Sequence, residues 1–356
     1  MAAPYTTSST VAAPVNRQVM KEFLRRQTRV CVYPAYTKTA ELAKHGGSFT
    51  AFWRRYDSLS PSTTSLSELT GNQSVPARTS ITPSVTNVTK AVSKYGQFIM
   101  PNEEVDLLNP TQQDAEFMAL MVECGGRSLN QLARNEMEDN ATQVRVGGVA
   151  ADNLIVSPLT VTAVRGVTTT LNVNGARKLY TGTAGSQNVG TTPIREALRG
   201  IASVYLEHDI RSFSGFVSAE QYGNQTELMP NEIGMGAGVR WQVTEDATVD
   251  ATNGGANALN PNLVNSSSKI TLFDSIIHGV DAVGGLGLGV KLPDEEWDAE
   301  EDGPPAVEII VKGMTEGGAL NPFNEFGSVA YKVWAAYKIL NTAWIRRITS
   351  GATLHQ

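Results

Sequence analysis

Only two cysteines and four histidines occur among the 356 residues. Cys31 and Cys124 share no metal-ligand or redox spacing, so a disulfide framework is excluded. Charged residues make up 18%, below the ~25% usual in soluble domains. With 41% hydrophobic residues the chain is nonetheless not an intrinsically disordered one. Long apolar runs are missing too: nothing approaches the ~18–20 residues that a membrane-crossing helix needs. The opening MAAPYTTSSTVAAPVNRQVM has neither the charged start nor the apolar centre of a secretory signal. The expectation is a soluble chain made in a reducing compartment, long enough for two or three units with cores of their own.

Catalytic signatures are equally scarce. The dipeptide Gly-Lys is absent, which removes the P-loop, and neither G-x-S-x-G nor H-E-x-x-H is found. Gly234-Met235-Gly236-Ala237-Gly238 and Gly285-Leu286-Gly287-Leu288-Gly289 lack the third glycine offset of a dinucleotide loop and open no amphipathic helix, so they read as turns. His45, His208, His278 and His355 are scattered, and only His208-Asp209 sets a histidine beside an acid. Sequence neighbours do not converge on one reacting atom, so this is a poor base–orienter pair. The acid run Asp294–Asp302 approaches a calcium loop, with Asp298, Glu300, Asp302 and then Gly303. The twelfth position, where a bidentate Glu belongs, is Ile309, and Pro304-Pro305 stiffens the middle. A solvated surface loop is the better reading. No catalytic, cofactor-binding or metal-binding residue is assigned.

What is present is organisation. Residues 1–60 hold nine basic groups against three acids, whereas the rest of the chain carries a net charge of −12. A basic leading segment on an acidic body suits an arm reaching for an anionic surface, either nucleic acid or the acidic face of another copy. Residues 1–16 are small and polar, and Arg17–Arg29 has the spacing of a short basic helix. Strand-like runs follow at Phe49–Leu59 and Val85–Ile99, separated by the polar stretch Ser60–Thr82. Such a ribbon is marginal in water by itself, which predicts that it lies on another subunit. Thr111–Glu138 is the clearest helix, with Phe117, Leu120, Met121, Cys124, Leu129 and Leu132 near one face. Gly125-Gly126 predicts a bend in it or, as the alternative, the close approach of another backbone. A second helix is expected over Leu159–Leu179, strands and turns over Gly200–Asp250, further strands at Ile270–Val290 and Ala306–Val311, and two closing strands in Val329–Ile348. The mixture is α+β without βαβ alternation.

Several stretches then carry a family likeness. Phe52-Trp53-Arg54-Arg55-Tyr56 resembles the entry to an extended loop, and Lys94-Tyr95-Gly96-Gln97-Phe98 its return. Asn231-Glu232-Ile233-Gly234 followed by Gly238-Val239-Arg240-Trp241 resembles a G-E-I-G…G-V-R-F signature, with Asn231 and Trp241 as departures. Asn321-Pro322-Phe323-Asn324, Tyr331-Lys332 and Ala336–Asn341 resemble a closing run. In this order they resemble the major capsid proteins of tailed bacteriophages, the Hong Kong-ninety-seven fold, and within it the N-four-like podoviruses.

The resemblance implies an N-terminal arm (1–45), an extended β-ribbon loop (46–105), a peripheral domain with its spine helix (106–150), an axial domain (151–320) and return strands of the peripheral domain (321–356). It implies a non-enzymatic shell protein with no cofactor. Its partners would be many copies of itself in hexamers and pentamers, the portal, scaffolding or decoration proteins, and packaged double-stranded DNA held without sequence reading, with no membrane. The virion is the implied location, after assembly in the host cytoplasm. Lys–Asn cross-linking through Lys90 or Lys94, as in some relatives, is not expected. Another phage part (tail or fibre) and an enzyme using His208 and Asp209 are the competing readings.

Overall fold

The computed structural model describes residues 31–40, 50–59, 61, 82–102, 113–179, 195–222, 228–266, 268–286, 307–313, 323 and 325–354. The Arg17–Arg29 segment, the tip between the ribbon strands apart from Pro61 and Thr82, and the Asp294–Asp302 run lie outside the described residues.

The main body is an eight-stranded mixed sheet. Its strands run in the order Thr142–Arg145, Ile345–Ser350, Leu272–His278, Leu198–Ser203, Val239–Thr244, Glu232–Gly236 and Val217–Ser218, with Val249–Asp250 pairing onto Leu272–His278. Two neighbouring pairs are parallel, Thr142–Arg145 with Ile345–Ser350 and Leu198–Ser203 with Val239–Thr244. Both strands of the second pair are buried along their whole length, as interior strands of a covered sheet are. The helix Val161–Val173 covers one face. It starts where Thr160 Oγ1 accepts the Ala163 amide at 3.3 Å, an N-cap that satisfies one otherwise orphaned donor. Its Val164, Val167 and Leu171 join Trp241, Phe273 and Ile348 in the largest core cluster.

The long helix spans Gln113–Asn140, close to the expected Thr111–Glu138. It stays helical through Gly125-Gly126. Cys31 packs there, its thiol donating to the Gly126 carbonyl at 3.3 Å. The helix is held on both sides of the glycines. Met121 packs with Val329, Tyr331 and Val333, while Ala133 and Met137 pack with Ile201, Ile276 and Ile345. It therefore joins the large sheet to a three-stranded antiparallel sheet of Val307–Lys312, Ser328–Ala335 and Ser93–Ile99.

Val85–Ile99 is not one strand. Val85–Ala91 pairs antiparallel with Thr50–Tyr56 to make the ribbon, and after Val92 the chain passes to Ser93–Ile99 in the three-stranded sheet. The closing region holds three strands rather than two: Ser328–Ala335, Tyr337–Ile339 and Ile345–Ser350. The break falls at Asn341-Thr342 as expected, and Asn341 Oδ1 caps the short turn by accepting the Ala343 amide at 3.0 Å. The last strand enters the large sheet beside Leu272–His278, whereas Ser328–Ala335 lies under the long helix. The described strands of this closing region thus divide among three sheets, Tyr337–Ile339 pairing with Val283–Leu286 in a further three-stranded sheet with Lys38–Ala40.

Candidate interaction surfaces

The root of the ribbon is fastened to its own body. Strand alternation sends Ala51 and Trp53 to one face, where both are buried with Ala40, Ala336, Leu286 and Leu340. The Trp53 indole N–H donates to the Lys38 carbonyl at 3.2 Å, and Arg55 donates to the Leu340 carbonyl at 3.0 Å. Gly284 lies beneath the indole, where a Cβ would come within 2.6 Å of Trp53. Glu136 on the long helix adds a clasp, pairing with Lys90 of the ribbon at 3.2 Å and with Lys338 at 3.3 Å. The inner face at the root is therefore satisfied within one chain.

The opposite ribbon face is open. Phe52, Arg54 and Tyr56 point away with their partners Thr89, Asn87 and Val85, and Tyr56 is 64% exposed. A second open face lies on the three-stranded sheet, on the side away from the long helix. Register places Phe98 opposite Ala330, Met100 beyond it, and Phe326 opposite Asn102 on this side. Phe98 is 66% and Met100 55% exposed. Beside them Lys94 Nζ stands 5.6 Å from the centre of the Trp334 ring. Single exposed apolar residues are ordinary, but an aligned row on a sheet face that no other described strand or helix covers is the kind of surface that associates.

The candidate enzyme pair is taken apart by the fold. Asp209 is buried, with one oxygen accepting the Thr353 amide at 3.0 Å and the other its hydroxyl at 2.6 Å. His208 is exposed on the same short helix, Glu207–Arg211, and lines an open groove with Tyr205, Arg211 and Leu354. The acid is committed to holding Thr353. Among the described residues no group of three His, Cys, Asp or Glu side chains could hold a metal ion. The would-be calcium loop lies outside the described residues except for its last three positions, Val307, Glu308 and Ile309.

The polar groups that are buried hold the frame together. Glu232 and Arg240, both in the quoted signature, form a bidentate pair with two 2.6 Å bonds, and Tyr222 donates to the same carboxylate at 2.8 Å. The hairpin that brings them together turns at Ala237 and Gly238, both at positive φ (56° and 81°), the two-residue primed turn that favours glycine. Arg199 is fully buried. It donates to Gln242 at 2.6 Å and to the Ala35 carbonyl at 2.7 Å, and so pins residues 32–36 onto the large sheet. His278 is within 3.2 Å of Arg199. Burial and then the Arg199 charge push its imidazole down to about 3, so it is neutral and accepts from the guanidinium. Neither network was legible beforehand, since their partners lie on separate strands; only the Glu232…Arg240 spacing across a short turn signalled one of them.

No family model and no curated protein matches the sequence. Solved structures do. The chain is similar to the capsid structure of cyanophage P-SCSP1u, with a TM-score of 0.58 at 11% identity over 93% of this chain and 91% of that one. It is similar to the capsid of Ralstonia phage GP4, with a TM-score of 0.58 at 10% identity over 98% of this chain and all of that one. The capsid asymmetric unit of cyanophage Pam1 matches with a TM-score of 0.55 at 9% identity over 99% of this chain and all of that one. The α+β fold of this chain is the one found in these phage capsids.

Proposed function

We propose that the protein is the major capsid protein of a tailed bacteriophage, building an icosahedral shell around the genome. One observation carries this reading: the likeness to capsid chains spans nearly the whole length of both partners, so it extends to ribbon, helix and sheets together. Two open faces, one on the ribbon and one on the three-stranded sheet, support it physically. Permanent assemblies bury several thousand Å2, and flat or protruding faces supply such area.

In this reading the ribbon is the extended loop, the long helix the spine of the peripheral domain, and the large sheet the axial domain. The chain forms hexamers and pentamers, and meets the portal, scaffolding or decoration proteins and packaged DNA by non-specific contact. It assembles in the host cytoplasm and performs no reaction. The narrower likeness to N-four-like podoviruses rests on the quoted motifs. A tail or fibre part is the competing reading. Negative-stain microscopy of the expressed chain separates the two: closed shells or capsomer rings are expected, and tubes or elongated trimers would overturn the reading.

A further inference from the structure

Where the long helix meets the large sheet, a cleft of about 430 Å3 is lined by an excess of carboxylates over cations. Glu138, two residues before the helix end, is 4% exposed. Its Oε2 accepts from the Thr248 hydroxyl and lies 3.7 Å from Arg134, while its Oε1 is buried with no partner among the described residues. Asp274, on the central strand Leu272–His278, accepts from Thr349 at 2.6 Å and has Arg347 only at 3.6 Å.

Glu138 thus has the hydroxyl and amide of one neutral residue, Thr248, Asp274 has the Thr349 hydroxyl, and each has one distant arginine. Ion pairs at such lengths do not offset the loss of hydration. The other charges facing the cleft are Asp139 on the helix, Asp152 and Asp250. Asp152 is held by Arg145 at 2.6 Å, and Asp250 by the amides and side chains of Thr252 and Asn253. Tyr33, whose buried hydroxyl has no partner among the described residues, is the remaining titratable neighbour.

We propose that Glu138 and Asp274 form a proton-operated latch between the long helix and the large sheet. With a proton on the pair the helix end sits firmly on the sheet beside Met137 and Ala141; with both carboxylates ionised, repulsion and unmet hydration loosen it. Burial first, and then the Asp274 charge, raise the Glu138 carboxyl to about 7, against the lowering effect of Thr248 and Arg134. Burial likewise raises Asp274, against Thr349 and Arg347.

Because the folded chain holds this proton more tightly than the unfolded one, the contribution is complete below about 4.5 and lost as pH rises through about 7. His278 acts in the opposite sense. Its folded value of about 3 against 6.5 means that its contribution is present above 6.5 and lost toward 3. The two slopes oppose each other between 4.5 and 6.5, so the difference between variant and parent is the readout rather than either curve alone.

The experiment uses the full, unassembled chain, with thermal melting from pH 4.5 to 8.5 and amide exchange at residues 137–141. Glu138→Gln is expected to melt about 5 °C above the parent at pH 8, a gain that vanishes by pH 4.5, and to remove the pH dependence of exchange at the helix end. A difference that does not vary with pH overturns the latch. Should Glu138→Gln not fold, Asp274→Asn decides: it is expected to move the exchange midpoint toward acid, and an unmoved midpoint overturns the proposal. The latch is a property of one chain. Its consequence for a shell rests on the capsid reading, and either can fail without the other.

Discussion

Glu232 shows how much a single buried side chain carries. Its two oxygens accept from Nε and Nη2 of Arg240, from the Tyr222 hydroxyl and from the Met229 amide. Replacing one partner leaves the other charge uncompensated in the interior, which typically costs about 3–5 kcal/mol. Glu232→Gln is therefore expected to lower stability by roughly that amount in a denaturant titration. Glu232→Gln combined with Arg240→Met is expected to recover part of the loss, because no orphaned charge remains. Equal losses in the single and double variants would show that the pair matters only through its volume. Gly284 makes a related point about shape, since the indole of Trp53 occupies the place of a Cβ.

At the scale of elements, the ribbon is anchored at its root and open along its outer face. Trp53 and Ala51 are buried, Glu136 holds Lys90, and Phe52 and Tyr56 are bare. Deleting residues 62–81 while joining the two strands by a short turn is expected to leave the melting temperature of the isolated chain within a few degrees of the parent. It is also expected to abolish or strongly reduce particle yield in sedimentation. Normal particles from the deletion would show that the tip adds nothing between copies. Trp53→Ala tests the other end. Loss of a buried tryptophan costs about 3–5 kcal/mol, and the ribbon should then become sensitive to limited proteolysis in the isolated chain.

The same scale shows what periodicity reveals and what it hides. The long helix, the ribbon strands and the Asn341-Thr342 break were legible because each depends on its own residues: an apolar stripe, aromatic alternation, a local cap. The passage from ribbon to sheet at Val92 was not, since Ser93–Ile99 has the same extended pattern as Val85–Ala91 and differs only in its partner, Ser328–Ala335. At Gly125-Gly126 propensity signalled a special place in the helix but not its partner, Cys31, which comes from far upstream in the chain. The Glu138–Asp274 cleft was invisible because its carboxylates come from separate parts of the chain.

For the whole molecule, the uneven charge is the feature that would matter to the proposed shell. Five of the bases, Arg17, Lys21, Arg25, Arg26 and Arg29, precede the first described residue, while the rest of the chain beyond residue 60 is acidic. Replacing Arg25 and Arg26 with Ser is expected to lower the salt and heat tolerance of particles while leaving the melting of unassembled chains unchanged. An equal loss in both would mean that these arginines serve the fold of one chain.

The placement of Ile345–Ser350 bears on synthesis. This strand separates Thr142–Arg145 from Leu272–His278, so translation must proceed past Ser350 before the two can be joined. Until then a ribosome-bound chain carries two unclosed β-edges, and such edges invite premature pairing with other nascent chains. Chaperone dependence should accordingly persist until that strand has left the ribosome and lapse once it has slotted in.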